Sequence, residues 1–304
     1  MITNYKLEKN TLNQSTAAID LILVTKPTKE EIGLLATTYD FPFDYIAGIL
    51  DDDENARFER DDHHNLLLLL QYPCVVDEAA EVYPFSLIVN PEKQLVILSL
   101  NRDYDLTPIF QRHYDVMRYQ HELIFQIMST LGRSFNTYLA QYKKRMKVIE
   151  KELTFSQENA QIMEIIRSQK SLIYFEAALE DNIKVYQKMM AYLRAQGENG
   201  FSDRIFDIYV EAAQALTTTE IQLKLLENLS DLFSNIVSNN LNIMMKIMTS
   251  ATFIMTIPAI IAGLYGMNVK LPFQNISYAF WLIIMVATLI SWLVFRIMWR
   301  KRMF

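Results

Sequence analysis

The sequence predicts an α+β membrane protein: an N-terminal α/β domain, a set of long helices, and two C-terminal transmembrane helices. Three observations predict it. Charge is segregated, because a chain of 304 residues that is 51% apolar and 21% charged has Lys270 as its only charge between Lys246 and Arg296. Helix breakers are segregated as well, with six of the eight prolines at or before Pro108 and none from Ile109 to Ile257. Finally, Leu241–Tyr265 and Tyr278–Met298 are each long enough to cross a hydrocarbon core, which needs ~20 mainly apolar residues.

The polar start Met1-Ile2-Thr3-Asn4-Tyr5-Lys6 lacks the basic segment and apolar run of a secretory signal, so the body is expected in the cytosol. Within the first third, Ala18–Thr25, Asn65–Tyr72, Phe85–Val89 and Gln94–Leu100 read as short apolar strands, the last two joined by a turn at Asn90-Pro91-Glu92-Lys93. Thr28-Lys29-Glu30-Glu31 is a capping box that opens a helix through about Thr38. Residues 1–105 are therefore expected as a cytosolic α/β domain. Residues 106–240 follow as long helices, broken near Thr154–Gln157 and at Gly197-Glu198-Asn199-Gly200. After Gly200 the next breaker is Pro258, which leaves room for a helix of roughly 80 Å at ~1.5 Å per residue. Residues 241–304 form the transmembrane part, with spans at about 241–265 and 278–298.

Composition excludes several function classes. Cys74 is the single cysteine, so there is no intramolecular disulfide and no Cys-pair metal site, and an inert buried thiol is expected. A net charge of −6 argues against nucleic acid as partner. The basic run Lys143-Lys144-Arg145-Met146-Lys147 reads as a solvated helix face. No Gly-rich phosphate loop is present, so no nucleotide is expected, and the chain is not read as an enzyme. His63 and His64 beside Asp61 and Asp62 lack further metal-ligand spacing, and on a strand the two would point to opposite faces.

The second span has Tyr278 and Trp281 at one end and Trp299 at the other, where amphipathic rings prefer the interface. Arg296, Arg300, Lys301 and Arg302 follow it, which places the C-terminus with the N-terminal body in the cytosol and the loop near residues 266–276 outside. The first span carries a seam in steps of four and three: Asp231, Asn235, Ser238, Asn242, Met245, Thr249, Thr252, Thr256, Ala259 and Gly263. It is polar or small at nearly every position, whereas Ile243, Ile247, Phe253, Ile254, Ile257 and Ile260 flank it with bulk. Polar groups at membrane depth face protein or water, so the seam either lines the inside of a helix ring or packs two helices closely through small residues.

The first span ends in Tyr265-Gly266-Met267-Asn268. Here the sequence resembles the CorA family of magnesium channels, whose signature is Gly-Met-Asn at the outer end of the first of two C-terminal spans. The basic C-terminus, the long helix, the mixed cytosolic domain and the acidic patch Leu50-Asp51-Asp52-Asp53-Glu54-Asn55-Ala56-Arg57 carry the same resemblance. It implies a homopentamer in the lipid bilayer of a bacterial plasma membrane, with long helices forming a funnel. It also implies passive, gated uptake of hydrated Mg²⁺, closed by intracellular Mg²⁺ bound between cytosolic domains. Gly266, Met267 and Asn268 would form the selectivity mouth, Asn242 a polar ring and Met245 an apolar constriction. Thr249, Thr252, Thr256, Ala259 and Gly263 would line the pore between them. Asp207, with Asp61 or Asp62 from the N-terminal domain, would form the regulatory metal site. The chain departs from the family pattern at Thr256, where a second apolar constriction is usual, and in an outer loop without an acidic residue. Co²⁺, Ni²⁺ or Zn²⁺ as cargo, or a non-conducting membrane-tethered scaffold, are the alternatives.

Overall fold

The computed structural model describes residues 1–304 apart from 9, 17–18, 77–78, 115–118, 153–158, 268–277 and 301–304. The chain divides into two compact units, Met1–Leu229 and Ser230–Phe304.

The first unit is built on a seven-stranded sheet: β1 (Ile2–Glu8), β2 (Thr11–Gln14), β3 (Leu21–Thr25), β4 (Arg57–Arg60), β5 (Leu66–Val76), β6 (Ala79–Asn90) and β7 (Leu95–Leu100), in the order β2-β1-β3-β7-β6-β5-β4. Among the described residues, only the β3–β7 pair is parallel. The run Leu66–Leu70 has no polar alternation because both of its faces are covered. Leu66, Leu68 and Leu70 join Phe85, Leu87, Val96 and Leu98 on one face, while Leu67 and Leu69 join Ile22, Val24, Ile88 and Ile97 on the other.

That second face is closed by α1 (Lys29–Tyr39) and α2 (Asp44–Ala47) through Ile32, Leu35, Tyr45 and Ile46. The capping box is present: the Thr28 hydroxyl accepts from the Glu31 amide at 3.2 Å, and the Glu31 carboxylate accepts from the Thr28 amide at 3.0 Å. A short helix α3 (Thr107–Phe110) then leads to α4 (Tyr119–Glu152), α5 (Asn159–Ala195) and α6 (Asn199–Tyr265). These cover the first face with Ile127 and Leu131 from α4, Val185 and Met189 from α5, and Phe201 and Ile205 from α6. Gly197 closes the α5–α6 hairpin at φ +82°, a left-handed conformation that glycine adopts without penalty. The expected break near Thr154–Gln157 lies outside the described residues.

Three strands escape the apolar-run reading. β1 and β2 are partly exposed, and β4 is the four-residue Arg57-Phe58-Glu59-Arg60. His63 and His64 lie in the turn after β4 rather than on a strand, His64 with φ 60°. Cys74 is half-buried rather than fully so, and burial raises its thiol pKa.

The edge of β5 needs a device of its own. β4 pairs only with Leu66–Leu69, leaving the backbone beyond it without a strand partner on that side. Asn182, 1% exposed on α5, fills the gap as a peptide unit would: its Nδ2 donates to the Gln71 carbonyl at 2.8 Å and its Oδ1 accepts from the Gln71 amide at 2.9 Å.

In the second unit, α6 continues through Pro258 to Tyr265 and α7 runs from Ala279 to Arg300. Both are long and apolar enough to cross a membrane, and only 6% and 11% of their apolar windows are buried by the chain itself. Pro258 does not end α6; it removes one amide donor and leaves the Ile254 carbonyl without its helical partner.

Asn182→Leu would strand both backbone groups of Gln71, and the expected loss of stability is roughly 2–4 kcal/mol. A lower thermal midpoint of the full chain together with faster hydrogen exchange at the Gln71 amide is the expected result. Unchanged exchange at that amide would show that the side chain does not hold the strand edge.

Candidate functional site

The seam on α6 can be placed by its neighbours. Ser250, Ile254, Ile257 and Ile261 are the buried or half-buried positions of the apolar segment, and α7 presents Ala279, Ile283, Ala287, Ser291, Val294 and Met298 with the same character. The small residues Ala287 and Ser291, four apart, allow close approach of the two helices. A cavity of about 630 Å³ remains between them, walled by Pro258, Ile261 and Ala262 on α6 and by Phe280, Ile283 and Ala287 on α7. At 3.6 residues per turn, the centre of the Asn242–Gly263 stripe lies roughly 150° around α6 from the Ser250–Ile261 face. Asn242, Met245, Thr249, Thr252, Thr256, Ala259 and Gly263 are all exposed in the single chain. The stripe thus turns away from α7.

Two of its hydroxyls are already committed. Thr252 Oγ1 donates to the Met248 carbonyl at 2.8 Å, and Thr256 Oγ1 donates to the Thr252 carbonyl at 2.7 Å. A hydroxyl has one proton and two lone pairs, so each threonine offers its surroundings acceptors only. The signal for this is in the sequence: threonines four apart on a helix can each bond back one turn.

At the end of α6, the Gly266 amide donates to the Ala262 carbonyl at 2.9 Å and the Met267 amide to the Leu264 carbonyl at 3.3 Å. A Cβ on Gly266 would lie 3.3 Å from the Ala262 carbonyl oxygen. The constraint on this glycine is close approach to the preceding turn, not a left-handed backbone. Met267 is exposed, and Asn268 lies outside the described residues.

The three acidic positions differ in kind. Asp61 is a turn builder: Oδ1 accepts from the amides of His63 at 2.9 Å and Asn65 at 2.8 Å, and Oδ2 accepts from Asn65 Nδ2 at 2.7 Å. Asp62 beside it is exposed. Asp207 is exposed on α6 and has no ion pair among the described residues; its neighbours Phe206 and Tyr209 stack at 5.8 Å between centroids. Among the described residues, no group of three or more His, Cys, Asp or Glu is placed within one chain to hold a metal. His63 Nδ1 stands 3.1 Å from Asp40, and His64 Nε2 stands 3.9 Å from Glu92.

A family profile described as "CorA-like Mg2+ transporter protein" matches residues 18–302. The chain belongs to the CorA family. The cobalt/magnesium transport protein CorA of Methanocaldococcus jannaschii is 24% identical over 173 residues, which cover 55% of this chain and 53% of that protein. In that sequence match, the chain spans about half the length of its curated relative. In fold the likeness is complete: the complete structure of the CorA magnesium transporter of M. jannaschii matches with a TM-score of 0.85 at 18% identity, over 100% of this chain and 99% of that one. The full-length CmaX protein matches with a TM-score of 0.73 at 15% identity, over 97% and 96%. The cytoplasmic domain of ZntB from Vibrio parahaemolyticus matches at 0.57 and 13% identity, over 78% of this chain and 96% of that one. The CorA fold is therefore that of the whole chain, with its α/β unit, long helix and two candidate membrane helices.

Asp61→Ala removes three hydrogen bonds from the β4–β5 turn and is expected to cost about 1–3 kcal/mol. Asp62→Ala is expected to stay within about 0.5 kcal/mol of the parent. Thermal unfolding of the two variants side by side checks the assignment, and equal midpoints would contradict it.

Proposed function

We propose that this chain is the subunit of an oligomeric, passive channel that admits hydrated Mg²⁺ to the cytosol and closes when cytosolic Mg²⁺ is plentiful. The observation that carries the reading is the stripe from Asn242 to Gly263, exposed on the face of α6 away from α7, with the Thr252 and Thr256 hydroxyls presenting lone pairs. Hydrocarbon cannot satisfy such a face, but other copies of α6 arranged around water can. Mg²⁺ gives up its six waters reluctantly, so a wall of acceptors that hydrogen-bonds the hydrated ion suits it better than a dehydrating cage. The family description names Mg²⁺, and the M. jannaschii relative is named for cobalt as well as magnesium, which makes Co²⁺ the second cargo to compare.

Assembly as a homopentamer follows the family resemblance. Support for contact between copies comes from Ile221, Leu225, Leu232 and Ile236, large apolar side chains exposed along α6. At the outer mouth Gly266, Met267 and Asn268 would meet the ion with amide and carbonyl oxygens. Met245 would form an apolar ring that closes by dewetting, next to the polar ring of Asn242. Both termini would lie in the cytosol. A membrane potential of ~100 mV, inside negative, favours entry of a doubly charged ion by roughly 4.6 kcal/mol, so no coupled hydrolysis is required.

The regulatory site would lie between copies, with Asp207 facing a carboxylate of the neighbouring α/β unit. Asp62 suits that role better than Asp61, because both oxygens of Asp61 are occupied within its own turn. A bound divalent ion turns repulsion between the facing acids into a bridge through its waters.

Flux into proteoliposomes at equal Mg²⁺ and Co²⁺ gradients tests the pathway. Thr252→Leu adds an apolar ring to a wetted wall and is expected to cut flux by about tenfold or more, whereas Phe253→Leu is expected to stay within about twofold. Greater sensitivity at Phe253 would mean that another face of α6 lines the path. Asn268→Ala is expected to abolish flux while the oligomer remains intact; near-normal flux in an inserted variant would remove the mouth from the reading. For regulation, Mg²⁺ is expected to protect the parent from limited proteolysis, and Asp207→Lys to be protected largely without it. Identical protection curves would take Asp207 out of the sensor.

A further inference from the structure

The first unit contains a cavity of about 430 Å³ between the middle of α4, the first half of α5 and the β5–β6 hairpin, remote in sequence from every position assigned above. Its polar lining is one-sided. Arg145 lines it from α4 and Arg167 from α5, together with Gln141, Tyr138 and Tyr142. Ser168 and Ser171, 1% and 3% exposed, complete the wall. Against these donors stands one carboxylate, Glu164, 3.6 Å from Arg145. Arg167 has no ion pair among the described residues. The tyrosines are held in place, since both rings lie edge-on to Phe175, at centroid distances of 6.3 and 6.1 Å.

The geometry points to a binding site for a small phosphate-bearing anion, held between Arg145 and Arg167 with Ser168 and Ser171 donating from its inner wall. Two guanidinium groups on different helices, with Ser168 and Ser171 beside Arg167 on α5, suit a tetrahedral anion whose oxygens point in several directions. A carboxylate presents its two oxygens to one side only. The cavity is much larger than a bare oxyanion, so the phosphate is carried on a small organic body, for which Val75 and Ala80 supply an apolar wall. Arg145 belongs to the basic run Lys143–Lys147, whose sequence reading was a solvated helix face. Met146 and its neighbour Tyr142 are buried, and Arg145 is the member of the run that lines the cavity.

The site makes opposite demands on two neighbours, which allows a test in both directions. Titration calorimetry of the full chain in detergent, in Mg²⁺-free buffer, would use inorganic phosphate as the probe and acetate at matched ionic strength as the comparison. Saturable binding of phosphate and none of acetate is expected. Arg167→Gln is expected to weaken phosphate binding by about tenfold, through loss of a charge-assisted pair. Glu164→Gln is expected to strengthen it severalfold by removing the competing carboxylate. Both side chains reach solvent, so unchanged thermal midpoints of the unliganded variants are expected as well. If Arg167→Gln unfolds, Ser171→Ala takes its place, with weaker phosphate binding expected. Absence of saturable binding, an equal response to acetate, or phosphate affinity indifferent to both substitutions would overturn the assignment.

Discussion

Hydrocarbon donates and accepts no hydrogen bonds, and the arrangement of the second unit follows from that constraint. A polar side chain at membrane depth must be satisfied by its own helix, by another helix or by water. Thr252 and Thr256 use the first route for their protons and leave their lone pairs to the others. The bulky positions of α6 and α7 can face lipid; the stripe from Asn242 to Gly263 cannot do so without cost. A single copy of the chain buries only 6% and 11% of the apolar windows of α6 and α7.

The first unit answers a different demand, that of keeping a wide sheet closed on both faces and at its edge. Alternate residues of the Leu66–Leu70 run supply two cores at once, one under α1 and α2 and one under α4, α5 and α6. α4 is further tied to α6 by the Arg133 guanidinium, which donates to both carboxylate oxygens of Glu211 at 3.2 and 3.1 Å. Arg204 lies 4.2 Å over the Phe125 ring and 3.7 Å from Glu122. The stripe and the α6 side chains of this core lie on one helix of 67 residues.

What could be read from the sequence was what depends on local spacing. The capping box at Thr28 and the Asn90 turn involve residues three apart, and the stripe on α6 is a matter of steps of three and four. The central strands were legible because burial on both faces leaves an unbroken apolar run. β1 and β4 were not, because Asn4, Lys6, Arg57 and Glu59 sit at partly exposed positions where polar residues are tolerated and the apolar signal is diluted. Asn182 could not have been found: its partner Gln71 is 111 residues away, and an asparagine in the middle of a helix carries no mark of the strand it serves. Asp61 and Asp62 look alike in sequence and are separated only by the backbone amides that converge on one of them. The steric constraint on Gly266 was not legible, because it depends on where the Ala262 carbonyl lies.

Pro258 gives α6 a mechanical property that its length alone would not. A helix resists bending because each turn is tied to the next, and every tie must stretch on the convex side for the rod to curve. Between Ile254 and Pro258 one of those ties is absent, so the rod has a soft section of about one turn, with Thr256 in its middle. A twist or bend imposed below it does not spread evenly over the remaining turns but collects there. The turn of α6 with the fewest ties is therefore the one that carries Thr256.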